Sequence, residues 1–132
     1  MKTILKTYTF LIALIILTAC QNETQGQEYT RIDNSALQEL LESDIQLLDV
    51  RTPGETNNGV ISGAEIIDFY DPEFKAKVGM LDKKKPIAVY CAAGGRSAEA
   101  GAILVDMGFT KVYDLENGYR AWLSAGFPTV SE

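Results

Sequence analysis

From Tyr29 onward the apolar residues come in short blocks, and their spacing alternates between the strand period and the helix period. Ser35–Glu42, SALQELLE, puts Leu37, Leu40 and Leu41 on one helical face, and Ser35 with Gln38 has the spacing of a capping box. IQLLDV, Ile45–Val50, is a mostly apolar run of strand length, closed by Arg51-Thr52-Pro53-Gly54. Ala64–Phe69, AEIIDF, predicts another strand, and Asp71–Leu81 predicts a helix with Pro72 in its first turn. PIAVY, Pro86–Tyr90, is a continuous apolar run, as expected of a parallel strand covered on both faces. Ser97–Phe109 carries Ala100, Ile103, Leu104 and Met107 at helical spacing, and Gly108 fits the position just past the helix end. KVYDL, Lys111–Leu115, predicts a further strand, and GYRAWLSAG closes the pattern with a short helix.

Strands that alternate with helices predict an α/β domain with a mostly parallel central sheet flanked by helices. In such sheets the chemistry lies beyond the carboxyl ends of the strands. Those ends here are Asp49-Val50-Arg51, Asp68-Phe69-Tyr70, Cys91 and Asp114-Leu115. The triple lysine Lys83–Lys85 precedes its strand, falls on the opposite edge and reads as a solvated turn.

The first twenty residues follow another pattern. Lys2 and Lys6 precede the apolar run Phe10–Leu17 and then small residues, which is the layout of a secretory signal. The run is short for a membrane span. LTAC, Leu17–Cys20, resembles the lipobox of bacterial lipoproteins, which implies cleavage before Cys20 and lipidation of that cysteine. The resulting division is a signal peptide over 1–19, a lipidated cysteine with a polar tether over 20–28, and the folded domain over 29–132. An ordinary signal peptide or a short anchor helix is the alternative. The expected address is the bacterial cell envelope, with the domain outside the cytoplasm and held to the membrane by its acyl chains.

Composition narrows the chemistry. Eighteen acidic residues against twelve basic give a net charge of −6, and loss of Lys2 and Lys6 would deepen it. Such a surface argues against nucleic acid or anionic membrane as partners. There is no histidine, which excludes Ser-His-Asp and Cys-His catalysis. Of the two cysteines, Cys20 goes to lipid on this reading, which leaves Cys91 without an intramolecular disulfide partner. One cysteine and carboxylates make a poor zinc or copper site, so no metal is expected.

Cys91 opens the stretch YCAAGGRSAEAG, between the strand and the helix. Gly94 and Gly95 let the backbone curl, and a curl before a helix gathers N–H groups into a concavity that suits a small anion. A thiol at that mouth ionises easily, since cysteines at helix N-termini fall to about 3.5–7.5. The residues alone leave a reactive thiolate and a buried structural cysteine both open. Arg51 and Glu55, four apart at a helix start, are expected to pair, and Asp49 at a buried strand end needs N–H or cationic partners. All three read as support rather than catalysis.

Four motifs in register resemble the single-domain rhodaneses, a family of sulfurtransferases. They are LLDVRTPGE ending at Glu55, GVISGA over Gly59–Ala64, YCAAGGRS, and LENGYRAWLSAGFPTV. The resemblance covers about Tyr29–Val130 and implies a three-layer α/β fold. It also implies that Cys91 takes a sulfane sulfur from a donor, holds it as a persulfide and passes it to a thiophilic acceptor, a thiol protein among the candidates. Ala92, Ala93, Gly94, Gly95, Arg96 and Ser97 would then bind the transferred sulfur, and no cofactor is implied. Arg96 would add charge at the loop or tie the loop to the sheet. Two departures stand out. Val60 and Ser62 replace a usual histidine and proline, and alanines at 92 and 93 stand where thiosulfate-using members often carry basic residues. Thiosulfate and a persulfide therefore both remain open as donor. Related phosphatases and arsenate reductases place five residues between cysteine and arginine, whereas four stand here, which favours a single sulfur over a tetrahedral oxyanion. A rhodanese-like module that binds a partner or carries sulfide without turnover is the non-enzymatic alternative.

Overall fold

The computed structural model describes residues 28–131, so the expected signal peptide, Cys20 and most of the expected tether lie outside the described residues. Five strands, β1 Thr30–Ile32, β2 Gln46–Asp49, β3 Ala64–Ile66, β4 Ile87–Tyr90 and β5 Val112–Leu115, form one parallel sheet in the order β1-β5-β4-β2-β3. The helices are α1 Asn34–Leu40, α2 Pro53–Thr56, α3 Phe74–Val78, α4 Gly95–Asp106 and α5 Gly118–Ser124.

Alternate residues of each apolar run face opposite sides of the sheet, which makes the fold three layers. Leu48, Val50, Ile87 and Val89 face a cluster closed by Phe74 and Val78 of α3 and by Ala100, Leu104 and Val105 of α4. Leu47, Ala88, Tyr90 and Leu115 face the other cluster, closed by Leu37 of α1 and by Tyr119 and Trp122 of α5. Burying side chains of this size contributes about 1.5–3 kcal/mol each, so the two clusters supply most of what holds the sheet between its helices. The central strand β4 is buried at every position. The loop that follows it therefore starts from a fixed point.

Several local expectations shift. The cap of α1 is Asp33, whose carboxylate accepts from the Ala36 N–H at 2.8 Å, so Ser35 already lies inside the helix. A carboxylate there also meets the positive end of the helix, which a serine does not exploit. Pro72 belongs to a turn in which the Phe74 N–H donates to the Asp71 carbonyl at 2.9 Å, and α3 begins only after it. The edge strand β1 carries no apolar run and is defined by pairing with β5. Val60, which replaces the usual histidine, is buried and exchanges two backbone hydrogen bonds with Val130, 2.8 and 2.9 Å, while Ser62 is exposed. Lys85 pairs with Asp44 at 2.8 Å on the edge opposite Cys91.

Candidate functional site

Cys91 follows the last residue of β4 and is 1% exposed. The chain then turns through Ala92 and Ala93 to Gly94, whose φ of +102° places it in the left-handed region. The turn brings the Gly94 N–H back onto Cys91 Sγ at 3.1 Å. A Cβ at Gly94 would stand 2.1 Å from the Glu116 carbonyl, so no other residue fits. Gly95, expected to share in the curl, instead opens α4 with open space where a Cβ would stand.

The carbonyls of this loop are turned away from the sulfur and held. Cys91 O accepts from the Tyr119 N–H at 2.8 Å, and Ala92 O accepts from the Arg120 N–H at 3.0 Å. This contact requires Gly118, with φ of +65°, because a Cβ there would lie 2.6 Å from Cys91 O. Gly118 and the first turn of α5 hold the Cys91 loop in place, a contact that the sequence reading missed. The signal available was Asn117-Gly118, a turn pair directly before an apolar helix. With the carbonyls committed to α5, the N–H groups of the loop are left to face the sulfur.

Burial alone would push the Cys91 thiol up. The N–H and hydroxyl of Ser97 and the N–H groups of Ala93 and Gly94 outweigh it, and the thiol lies below its ordinary value of 9.0. Cys91 is therefore a buried thiol whose surroundings favour the thiolate. Ser97 is fully buried, and its hydroxyl donates to Asp114 Oδ1 at 2.5 Å.

The expected pair of Arg51 with Glu55 does not form. Arg51 turns back to Asp49, with Nε 3.0 Å from both carboxylate oxygens and Nη2 2.7 Å from Oδ2, and it donates to the Gly59 carbonyl at 2.8 Å. Its guanidinium also sits 3.8 Å from the centroid of the Tyr119 ring. The physical reason is burial: Asp49 is 0% exposed, and a carboxylate there without its cation would be very costly. Glu55 instead serves two other groups. It accepts from the Thr52 N–H at 3.0 Å, capping α2, and it pairs with both terminal nitrogens of Arg96 at 2.8 and 2.7 Å. Arg96 is thus a brace between the Cys91 loop and α2, and its pairing with the Glu55 carboxylate holds Arg96 above its usual range. The same pair brings Glu55 down to about 2.

The structure therefore gathers Cys91, Ala92, Ala93, Gly94, Gly95, Arg96 and Ser97 at the carboxyl edge with Glu55, and sets Asp49 and Arg51 beneath as a separate buried pair. Among the described residues no three histidine, cysteine, aspartate or glutamate side chains come together as a ligand set.

Known proteins are similar to this chain in sequence and fold. Residues 33–125 match the family model of the Rhodanese-like domain. Thiosulfate sulfurtransferase 18 of Arabidopsis thaliana is 32% identical over 123 residues, spanning 84% of this chain and 90% of its own. The crystal structure of a rhodanese-related protein from Thermoplasma volcanium is 35% identical with a TM-score of 0.72, covering 79% of this chain and 100% of that one. The polysulfide-sulfur transferase homodimer of Wolinella succinogenes is 26% identical with a TM-score of 0.68, covering 81% and 82%.

Proposed function

Because the chain belongs to the rhodanese-like domain family, with named sulfurtransferases among its relatives, we propose that it transfers a sulfane sulfur through a persulfide on Cys91. The observation that carries this reading is Sγ at the mouth of a curl whose N–H groups favour a sulfur anion. The Cys91 thiolate attacks the outer sulfur of the donor, and a new S–S bond forms. The bond between that sulfur and the rest of the donor breaks, and the leaving group departs with its electron pair, as sulfite from thiosulfate or as a thiolate from a persulfide. A nucleophilic acceptor then attacks the terminal sulfur, and Cys91 leaves as the thiolate it began as. Negative charge stays on sulfur throughout, and preorganised N–H donors are suited to stabilise it.

The donor on this reading is a small persulfide more readily than thiosulfate. Ala92 and Ala93 carry no charge, Arg51 is taken by Asp49 and Arg96 by Glu55, so a dianion meets little uncompensated positive charge. The double pairing of Arg96 also argues against an oxyanion-binding phosphatase. The test compares sulfur transfer to cyanide from thiosulfate and from a low-molecular-weight persulfide. The persulfide should give the higher kcat/KM, and Cys91→Ser should abolish transfer from both. Transfer that survives Cys91→Ser would overturn the reading.

A further inference from the structure

Tyr70 is a large aromatic residue left 66% exposed at the edge of the sheet where Cys91 lies, and the transfer steps above give it no task. Backbone pairing fixes its place. The Val50 N–H donates to the Tyr90 carbonyl at 3.0 Å, and the Val50 carbonyl accepts from the Phe69 N–H at 3.1 Å. Tyr90, Val50 and Phe69 therefore stand side by side, and at strand spacing the Phe69 backbone is about 10 Å from that of Tyr90. Tyr70 follows Phe69 and Cys91 follows Tyr90, so the two stand at one edge. Phe69 itself packs against the cluster that includes Cys91.

The ring is exposed but held. Tyr70 lies in a turn in which the Asp71 N–H donates to the Asp68 carbonyl at 3.0 Å, and its own N–H donates to Asp68 Oδ1 at 2.9 Å. The Phe69 ring meets it edge to face, with centroids 5.7 Å apart. Arg96, in the first turn of α4, holds its guanidinium 5.8 Å from the centroid of the Tyr70 ring. Both terminal nitrogens of Arg96 pair with Glu55, so the ring borders a neutralised pair and not a free cation. A fixed aromatic surface of this kind suits a carbon skeleton and offers little to a small dianion.

We infer that Tyr70 is a specificity-determining residue whose ring receives the organic group of the sulfur donor while the donor's outer sulfur reaches Cys91. The inference rests on the proposed sulfur transfer and narrows its donors to organic sulfane-sulfur compounds with an apolar or aromatic skeleton. Cys91 is 1% exposed, so the outer sulfur alone enters the loop and the rest of the donor stays outside, on the side where Tyr70 stands. On transfer the outer sulfur bonds to Cys91 Sγ, and the organic group leaves with the electron pair of the broken bond. Thiosulfate has no carbon skeleton and gains nothing from the ring.

The probes are thiosulfate, methanethiosulfonate and benzenethiosulfonate, which present the same outer sulfur and leave as sulfite, methanesulfinate and benzenesulfinate. Sulfur transfer to cyanide would be followed for wild type, Tyr70→Ala and Tyr70→Phe, since an exposed side chain can be replaced at little cost to the fold. The wild type should favour the benzene over the methane donor in kcat/KM. Tyr70→Ala should lower kcat/KM for the benzene donor roughly 2- to 10-fold, the size of an aromatic contact, and mainly through KM. Its values for the other two donors should be unchanged, and Tyr70→Phe, which keeps the ring, should keep the preference. A second measurement does not depend on turnover. In Cys91→Ser, which cannot take the sulfur, the NMR signals of the Tyr70 ring should shift with benzenethiosulfonate and stay in place with thiosulfate. If no donor is turned over yet those signals shift, sulfur transfer falls and the aromatic subsite stands. A wild type without the preference, a preference that survives in Tyr70→Ala, or ring signals indifferent to benzenethiosulfonate overturns the inference.

Discussion

Arg96 spends both terminal nitrogens on Glu55, and this fixes what the cation nearest the loop can do. It holds the first turn of α4 against α2, and its field reaches Cys91 already offset by a carboxylate. The pair is partly exposed, so its contribution is about 1 kcal/mol after solvent screening. Its pH dependence follows from Glu55, whose folded value of about 2 lies below the ordinary 4.5. A depressed carboxyl contributes stability that is complete above its unfolded value and is lost as pH falls toward its folded one. The stability gap between wild type and Glu55→Gln should therefore be constant near neutrality and close as pH falls from about 4.5 to about 2, measured by denaturant unfolding at each pH. A gap unchanged through that window would show that Glu55 acts by its shape alone. The sequence spacing pointed to Arg51 for this role because it weighs neighbours along one helix. It carries no information on which buried carboxylate most needs a cation, and Asp49 at the end of β2 is that carboxylate.

The elements that position the loop are β4 before it, α4 after it and the N-terminal turn of α5 across from it. The first two were legible in the chain, because PIAVY and the helical spacing after Ser97 are strong local patterns, and the Gly108 cap lies where the sequence placed it. The third was not legible. A contact between α5 and the Cys91 loop is long-range, and Gly118 declares only that a turn is close by. The same limit explains β1, whose Thr-Arg-Ile has no apolar run and exists as a strand through β5. The contact gives a prediction at this scale. Gly118→Ala costs about 1–2 kcal/mol for the left-handed backbone alone. It also drives a Cβ into the Cys91 carbonyl, so the loop must move. Turnover of the folded protein should fall roughly 100-fold, as for a reacting group misplaced by about 1 Å. Alkylation of Cys91 should demand higher pH than in the wild type. Normal turnover in a folded Gly118→Ala protein would remove α5 from the site.

At the scale of the whole molecule, the sequence of the first twenty residues, two lysines before an apolar run that ends in LTAC, bears on where the domain is held. We propose that Cys20 is acylated and holds the domain at the bacterial envelope. Cys20→Ala should then abolish metabolic labelling with a fatty acid and leave the protein unprocessed, whereas labelling equal to wild type would contradict the lipobox. The two cysteines so divided leave Cys91 as the one thiol for chemistry, and the mass of the intact chain reports on it directly. The decisive measurement is that mass after incubation with a small persulfide and removal of excess donor, for wild type and for Cys91→Ser. The wild type should gain the mass of one sulfur atom and lose it on addition of cyanide, and Cys91→Ser should gain nothing. A folded wild-type protein with free Cys91 that gains no sulfur from either persulfide or thiosulfate would rule out transfer through a Cys91 persulfide.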